Sequence, residues 1–159
     1  MSLVRLDKIA AAYNGNLESV KHSADMGNGS VVMLGGLVAG ERELRQVVVP
    51  TAALAANDEI LLVASPEVNY SPLEKDEDFV NKANKAARAY HLSVGDIFTV
   101  TDDMLSGSSV VGQFVGAIDG LKLGASATAP TTRFAGKVLE KTTLGYDAAP
   151  ATVIQVLKA

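Results

Sequence analysis

The stretch formed by residues 92–125 constrains the fold most, because its pattern predicts a strand followed by a β-hairpin. Asp119-Gly120 is the signal typical of a two-residue type I′ turn, in which both central positions need a positive φ. Such a short loop fixes the register and places the apolar side chains on one face of the ribbon. The expected facing pairs are Ile118 with Leu121, Gly116 with Leu123, and Phe114 with Ala125.

Short runs of β-branched and apolar residues recur along the rest of the chain. Counting from Asp96, five such runs follow one another at a spacing of roughly 8 to 12 residues, which is typical of a small β-barrel or sandwich. The last two lie at residues 131–142 and 152–158, and four earlier predicted strands lie at residues 17–22, 31–38, 41–49 and 60–64. The sequence therefore predicts a mainly β protein, in which SH3-like, OB-like and sandwich topologies fit equally well.

The chain is expected to form a single domain over residues 1–159, because no stretch rich in Pro or Ser divides it. Two lobes are predicted within it. An additional N-terminal β lobe spans residues 1–64, and a C-terminal five-stranded β unit spans residues 93–159. Residues 65–92 between them are predicted to be an excursion or a short helix.

At most one or two short helices are expected. Residues 4–13 carry apolar side chains spaced three and four apart, which favours a helix. Ser71-Pro72-Leu73-Glu74 has the form of a capping box, followed by acidic and then basic residues that suit the two ends of a helix dipole. The competing interpretation of this region is a surface excursion that becomes a strand again at residues 87–92.

Composition excludes several kinds of function. The chain has no Cys, so it cannot use disulfides, thiolate metal ligands or a thiol nucleophile. Its net charge of −4, without a cluster of basic residues, argues against a nucleic-acid partner. The longest apolar run, at residues 31–39, is far shorter than the roughly 20 residues that cross a bilayer, and no secretory signal is evident at the N-terminus. A membrane partner is therefore not expected.

The residue types that most often act in catalysis or metal binding lack suitable partner residues nearby in the sequence. His22 and His91 lie inside predicted strands, and we expect both to be exposed or edge-strand side chains rather than ligands or general bases. Asp102-Asp103 and the acidic run at residues 74–78 lack the alternating D-x-D-x-D-G pattern of a calcium loop, so they are predicted to be solvated.

Three further patterns, a serine-rich loop, a group of glycines and a lysine, also do not match the functional motifs that they suggest. The loop Ser106-Gly107-Ser108-Ser109 has no G-x-S-x-G frame, and the glycines at 35, 36 and 40 do not form a dinucleotide fingerprint. Lys137 does not sit at a hairpin tip, as the modified lysine of a carrier domain would. The sequence therefore predicts no catalytic, cofactor-binding or metal-ligating residue.

Several segments together resemble the head decoration, or capsid cement, proteins of tailed bacteriophages. The resemblance runs from about Leu17 to Val156, mainly as a pattern of strand starts. The segments that carry it are NLESVK at 16–21, GSVV at 29–32, LVASPEV at 62–68, ARAY at 87–90, GDIFTVT at 95–101 and VGQFV at 111–115.

The resemblance implies a non-enzymatic structural protein, made in the host cytoplasm and located on the capsid surface of the virion. Its partner would be the major capsid protein, to which it would bind as a monomer or as a homo-oligomer such as a trimer, bracing the head against internal DNA pressure. Candidate docking arms are residues 1–16 and the excursion at residues 65–85. The resemblance provides no cofactor and no catalytic residue.

Other classes of protein remain open from the sequence. One alternative is a tail component or a head-fibre base, which would use the same β architecture. Another is a barrel that binds a small ligand or a carbohydrate, although such a site needs a concave aromatic surface and the chain has no Trp and only four Tyr. An enzyme comes last, because no nucleophile, base and orienting group can be named together.

Overall fold

A computed structural model describes residues 2–69, 73–118 and 120–159. The strands form two units, a closed five-stranded barrel and a seven-stranded sheet. In chain order the elements are β1 (Val4–Lys8), α1 (Ala10–Asn14), β2 (Leu17–Lys21), β3 (Val31–Leu37), β4 (Leu44–Val48), α2 (Ala52–Ala55), β5 (Leu61–Val63), β6 (Ala86–His91), β7 (Ile97–Thr101), β8 (Leu105–Ser106), β9 (Phe114–Ala117), β10 (Leu123–Ser126), β11 (Ala135–Leu144) and β12 (Ala149–Lys158). The prediction of a mainly β fold that contains a small barrel is confirmed.

The barrel closes in the order β2-β4-β3-β5-β6, with β6 returning to β2. The β2–β4 pair is parallel and the other pairs are antiparallel. One set of alternating side chains forms the core of the barrel, and facing residues such as Val20 with Ala87 and Val32 with Leu61 belong to it. Because successive strand side chains point to opposite faces, the other set points outward.

The sheet has the order β1-β7-β12-β11-β9-β10-β8, and only the β8–β10 pair is parallel. The five strands predicted after residue 93 all lie in this open sheet, with β1 and the very short β8 added at its two edges. Both edges are poor templates for a further strand, because β1 carries a register shift between Arg5 and Lys8 and β8 is only two residues long.

A shared apolar core, separate from the barrel core, joins the two units. The outward side chains of Val31, Leu62 and Tyr90 on the barrel are in the same buried cluster as Phe98 and Ile154 on the sheet. Burial on both faces of β5 explains why its sequence is continuously apolar rather than alternating. The barrel and the sheet therefore share their hydrophobic stabilisation.

The predicted hairpin register is wrong by one residue. The strands pair Ala117 with Leu123 and Val115 with Ala125. The side chains of β9 that face the core are therefore the ones predicted to face outward. The connection is fixed by contacts with the barrel unit rather than by a local two-residue turn. Val31 N–H donates to the carbonyl oxygen of Leu121 at 2.8 Å, and Gly120 N–H donates to that of Pro50 at 2.9 Å. Asp119, the first residue of the predicted turn, lies outside the described residues.

Both helix predictions need correction. Residues 4–8 form strand β1, because pairing with β7 satisfies their backbone, and the helix of this region is the five-residue α1. The proposed capping residues Ser71 and Pro72 lie outside the described residues, and beyond them a single 3-10 turn at Asp76–Asp78 precedes β6. The competing interpretation, an excursion that returns to a strand, is the one that the structure supports.

The N-terminal segment is not a free arm in the described part of the chain. β1 pairs with β7, and Ile9 and Ala11 are buried in the shared core. Asp96 also accepts a hydrogen bond from Ala10 N–H at 2.9 Å. Among the described residues, no helix is both long enough and apolar enough to cross a membrane.

Gly136 provides a test of how closely β9, β11 and β12 pack. A Cβ atom at this position would lie 2.7 Å from Ile154 Cγ2 and 2.9 Å from Val115 Cγ2. We expect Gly136→Ala to lower the free energy of unfolding by about 1–3 kcal/mol, because both neighbours are buried branched side chains. Urea unfolding followed by circular dichroism measures this change.

Gly36→Ala is the matched control for this prediction. A Cβ atom at Gly36 would meet no atom within 4 Å, so the change in the free energy of unfolding should stay within about 0.5 kcal/mol. Equal effects of the two substitutions would contradict the described packing.

Candidate functional site

The two histidines lie at opposite ends of the β2–β6 ladder and do not form one site. His22 follows Lys21, which pairs with Ala86, whereas His91 follows Tyr90, which pairs with Leu17. The Nδ1 atom of His22 accepts a hydrogen bond from Ala24 N–H at 3.0 Å, which is a local turn contact.

His91 lies between two carboxylates, which sequence reasoning missed. Its Nδ1 atom is 2.8 Å from Glu59 Oε1, and its Nε2 atom is 3.4 Å from Glu18 Oε1. The side chain is only 19% exposed. Burial alone would lower the pKa of His91, but hydrogen bonding and charge attraction from Glu59, and then from Glu18, raise the pKa above its ordinary value of 6.5. With both ring nitrogens facing acceptors, the arrangement suits the doubly protonated ring.

The His91 cluster is an ion-pair network in which each ring nitrogen faces its own carboxylate. The two ring nitrogens of a histidine point away from each other. A single metal ion therefore could not be bound by the His91 ring, Glu18 and Glu59 together. No group of three or more side chains suitable for metal ligation is found in residues 2–69, 73–118 and 120–159. The cluster connects β2, β6 and the segment before β5.

His91 should make the stability of the fold depend on pH. Because its pKa is raised on folding, its contribution is fully present below the unfolded pKa and is lost as the pH rises through the higher folded pKa. Between about pH 6 and about pH 9 we expect the free energy of unfolding to fall by about 1 kcal/mol or less, since the network is partly exposed. Chemical unfolding at a series of pH values measures it.

Two variants isolate the contribution of His91. His91→Gln should flatten this part of the pH profile, whereas His22→Gln, which removes a histidine that has no carboxylate partner among the described residues, should leave it unchanged. An unaltered profile in His91→Gln would show that the two carboxylates do not stabilise the ring.

A second polar cluster joins Asp102, Ser109, Lys141 and Thr152. Lys141 Nζ lies 2.6 Å from Asp102 Oδ2, 3.0 Å from Ser109 Oγ and 2.7 Å from Thr152 Oγ1. Three acceptors match the three N–H donors of an ammonium group. Through Lys141 the cluster attaches the 102–109 segment to β11 and β12.

The acidic run at residues 74–78 is solvated only in part, so the prediction for it is wrong at Glu77. Glu77 is 7% exposed, although Glu74, Asp76 and Asp78 are exposed. Its Oε1 atom accepts a hydrogen bond from Asp147 N–H at 3.0 Å, in the β11–β12 connection. Its Oε2 atom is buried and has no hydrogen-bond partner among the described residues. No local pattern in the sequence marks this position.

Two surface grooves are lined by the excursion. The larger, about 1260 Å³, lies between the excursion and the β2–β6 part of the barrel, and its rim carries charges of both signs. The smaller, about 570 Å³, lies between Glu77 and the β11–β12 connection and includes Tyr146 and Asp76. A side chain at Gly145 would collide with Glu77 Oε1, so the absence of a Cβ atom there allows the carboxylate to approach the backbone.

Three exposed apolar residues, Val110, Val111 and Leu139, lie on neighbouring backbone segments of the sheet unit, and we call them the apolar patch. Gly112 N–H donates to Val138 O at 2.9 Å and Val138 N–H donates to Gln113 O at 2.8 Å, which fixes the 110–113 turn against β11. Leu139 is the extra residue of a bulge, because Val138 pairs with Ile154 and Glu140 with Val153.

No family model, curated protein or solved structure matches the chain. Functional roles for the clusters, the grooves and the apolar patch therefore follow from their geometry and chemistry.

Proposed function

We propose that this protein is a non-enzymatic structural component of a bacteriophage particle, which binds the outer surface of the assembled capsid and stabilises it. The partner in this proposal is the major capsid protein. The sequence resemblance to head decoration proteins supplies the direction of the proposal, and the apolar patch formed by Val110, Val111 and Leu139 is the observation that carries it.

The patch has the properties of a docking surface. Exposed apolar side chains that lie close together mark protein contact sites more often than scattered ones do. The patch also stands on a rigid part of the fold, because two backbone hydrogen bonds hold the turn against β11. Docking would therefore bury the apolar side chains without a large cost in chain ordering.

The shared core supports a bracing role. Load applied to the barrel would pass to the sheet through the packing of Val31, Leu62 and Phe98, since the two units share one buried cluster. The poorly paired outer strands β1 and β8 favour attachment through side chains over addition of a strand from a neighbour.

A barrel that binds a ligand in its interior is less favoured. The side chains of Val20, Val32, Leu61 and Val63 pack against one another in the barrel core. A small five-stranded barrel that is filled in this way offers its outer surface, rather than an internal cavity, for recognition.

Cosedimentation with purified heads of the source phage tests the proposal. We expect saturable binding to expanded heads, in a simple ratio to the major capsid subunit. Val111→Asp should weaken this binding at least about tenfold, because it places a charge in the apolar patch. Failure of the wild-type protein to bind expanded or unexpanded heads would reject the proposal in favour of a tail component or a soluble binding module.

Leu37→Asp is the matched control for the patch. Leu37 is 55% exposed on the barrel and Val111 is 57% exposed on the sheet, so the two substitutions add the same charge at similarly exposed positions. Leu37→Asp should leave head binding unchanged. Equal losses in both variants would place the contact surface elsewhere.

A further inference from the structure

The unpartnered oxygen of Glu77 identifies a place where a donor is missing. Glu77 is more than nine-tenths buried, and Oε1 is already engaged by Asp147 N–H at 3.0 Å. Oε2 is out of contact with solvent and has no partner among the described residues. A buried acceptor without a donor is costly, and a charged one is more costly than a neutral one. A positive charge held nearby in the groove would therefore offset part of the cost of burying this carboxylate.

The smaller groove, which Glu77 lines, has an excess of unpaired negative charge. Of its two basic side chains, Arg5 pairs with Asp7, and Lys75 pairs with Asp147 at 3.3 Å. Glu67 accepts a hydrogen bond from Asn28 at 2.8 Å. The side chain of Asp76 is exposed and makes no ion pair or hydrogen bond within the described ranges, so Asp76 is an acceptor available to a ligand, with the buried carboxylate of Glu77 next to it in the chain.

Tyr146 gives the groove an aromatic wall that already attracts a cation. Its side chain is 92% exposed, and Lys75 Nζ lies 5.8 Å from the centre of its ring. A cation over the face of an aromatic ring is attracted by the ring quadrupole. The Lys75–Asp147 pair at this rim is well exposed, with both side chains more than half accessible, so exchange of Lys75 for another cation costs little.

We propose that the groove between Glu77 and Tyr146 is a binding site for a basic side chain of a protein partner, an arginine guanidinium or a lysine ammonium group. Asp76 supplies an exposed acceptor, Glu77 supplies a buried carboxylate beneath the groove, and Tyr146 supplies the ring on which the cation lies. Apolar contact with Leu3 and Leu144 suits the methylene stem of such a side chain. This inference goes beyond capsid binding and does not depend on it, because the ligand is defined by chemistry alone.

Titration with short peptides, followed by amide NMR spectra of the full-length protein, tests the site. The probe is an acetylated and amidated Gly-Ser peptide with one central arginine, and the matched neutral probe carries citrulline. We expect saturable shifts of the Gly145, Tyr146 and Asp147 amides with the arginine peptide. Asp147 is the most direct reporter, because its N–H is bonded to Glu77. Citrulline should produce no saturable shift.

Two variants assign the binding to particular side chains. Glu77→Gln retains an acceptor for Asp147 N–H but removes the charge, and it should weaken the arginine peptide at least about tenfold. Glu74→Gln removes the same charge from an exposed position on the same excursion that does not line this groove, and should have no effect. Tyr146→Leu alters a side chain that packs little in the fold and should weaken binding severalfold, which keeps the test decisive if Glu77→Gln does not fold.

The results that overturn the proposal are distinct from those that would reject capsid binding. Equal shifts with the arginine and citrulline peptides, or unchanged affinity in both Glu77→Gln and Tyr146→Leu, would mean that the groove does not recognise a cation. A response to free 1,4-diaminobutane without a response to the arginine peptide, or to the same peptide with lysine in place of arginine, would reject a protein side chain as the ligand. Head binding is measured separately and does not enter this outcome.

Discussion

Burial of strand β5 between two apolar layers is the constraint on which the rest of the structure depends. Leu61 and Val63 pack into the barrel, while Leu62 packs against the sheet, so three consecutive side chains serve two cores. The barrel strands β3 and β6 share this double role through Val31 and Tyr90. Because neither unit covers its own apolar surface alone, each depends on the other for stability.

Strand positions were largely predictable, whereas the details set by tertiary contacts were not. Runs of β-branched and other apolar residues predict β3, β5 and β7, because side-chain alternation and burial are local properties. The hairpin register was not predictable, since the carbonyl oxygen of Leu121 accepts a hydrogen bond from the N–H of Val31, which lies about ninety residues earlier in the chain. The charge pattern after Pro72 is typical of a helix, but the thin apolar stripe of Phe79, Ala83 and Ala86 or Ala87 offers little surface to stabilise one.

The candidate sites were less predictable than the fold, because their members come from distant parts of the sequence. His91 meets Glu59 and Glu18 across 32 and 73 positions, and Glu77 meets Asp147 across 70 positions. No spacing rule connects residues that are brought together only when the barrel closes and the excursion reaches the β11–β12 connection. No local motif surrounds His91 in the sequence, so the sequence could not reveal the carboxylates that face the ring.

The place of β12 in the sheet bears on how the chain is assembled during synthesis. β12 is the last strand in the sequence, but it lies between β7 and β11 at the centre of the sheet. Translation therefore completes the barrel strands, which end at His91, well before the centre of the sheet exists. Until β12 emerges from the ribosome, the apolar outer face of the barrel has no finished sheet against which to pack. Non-local pairing of this kind is slow, so the nascent chain carries exposed apolar surface at least until β12 has been made.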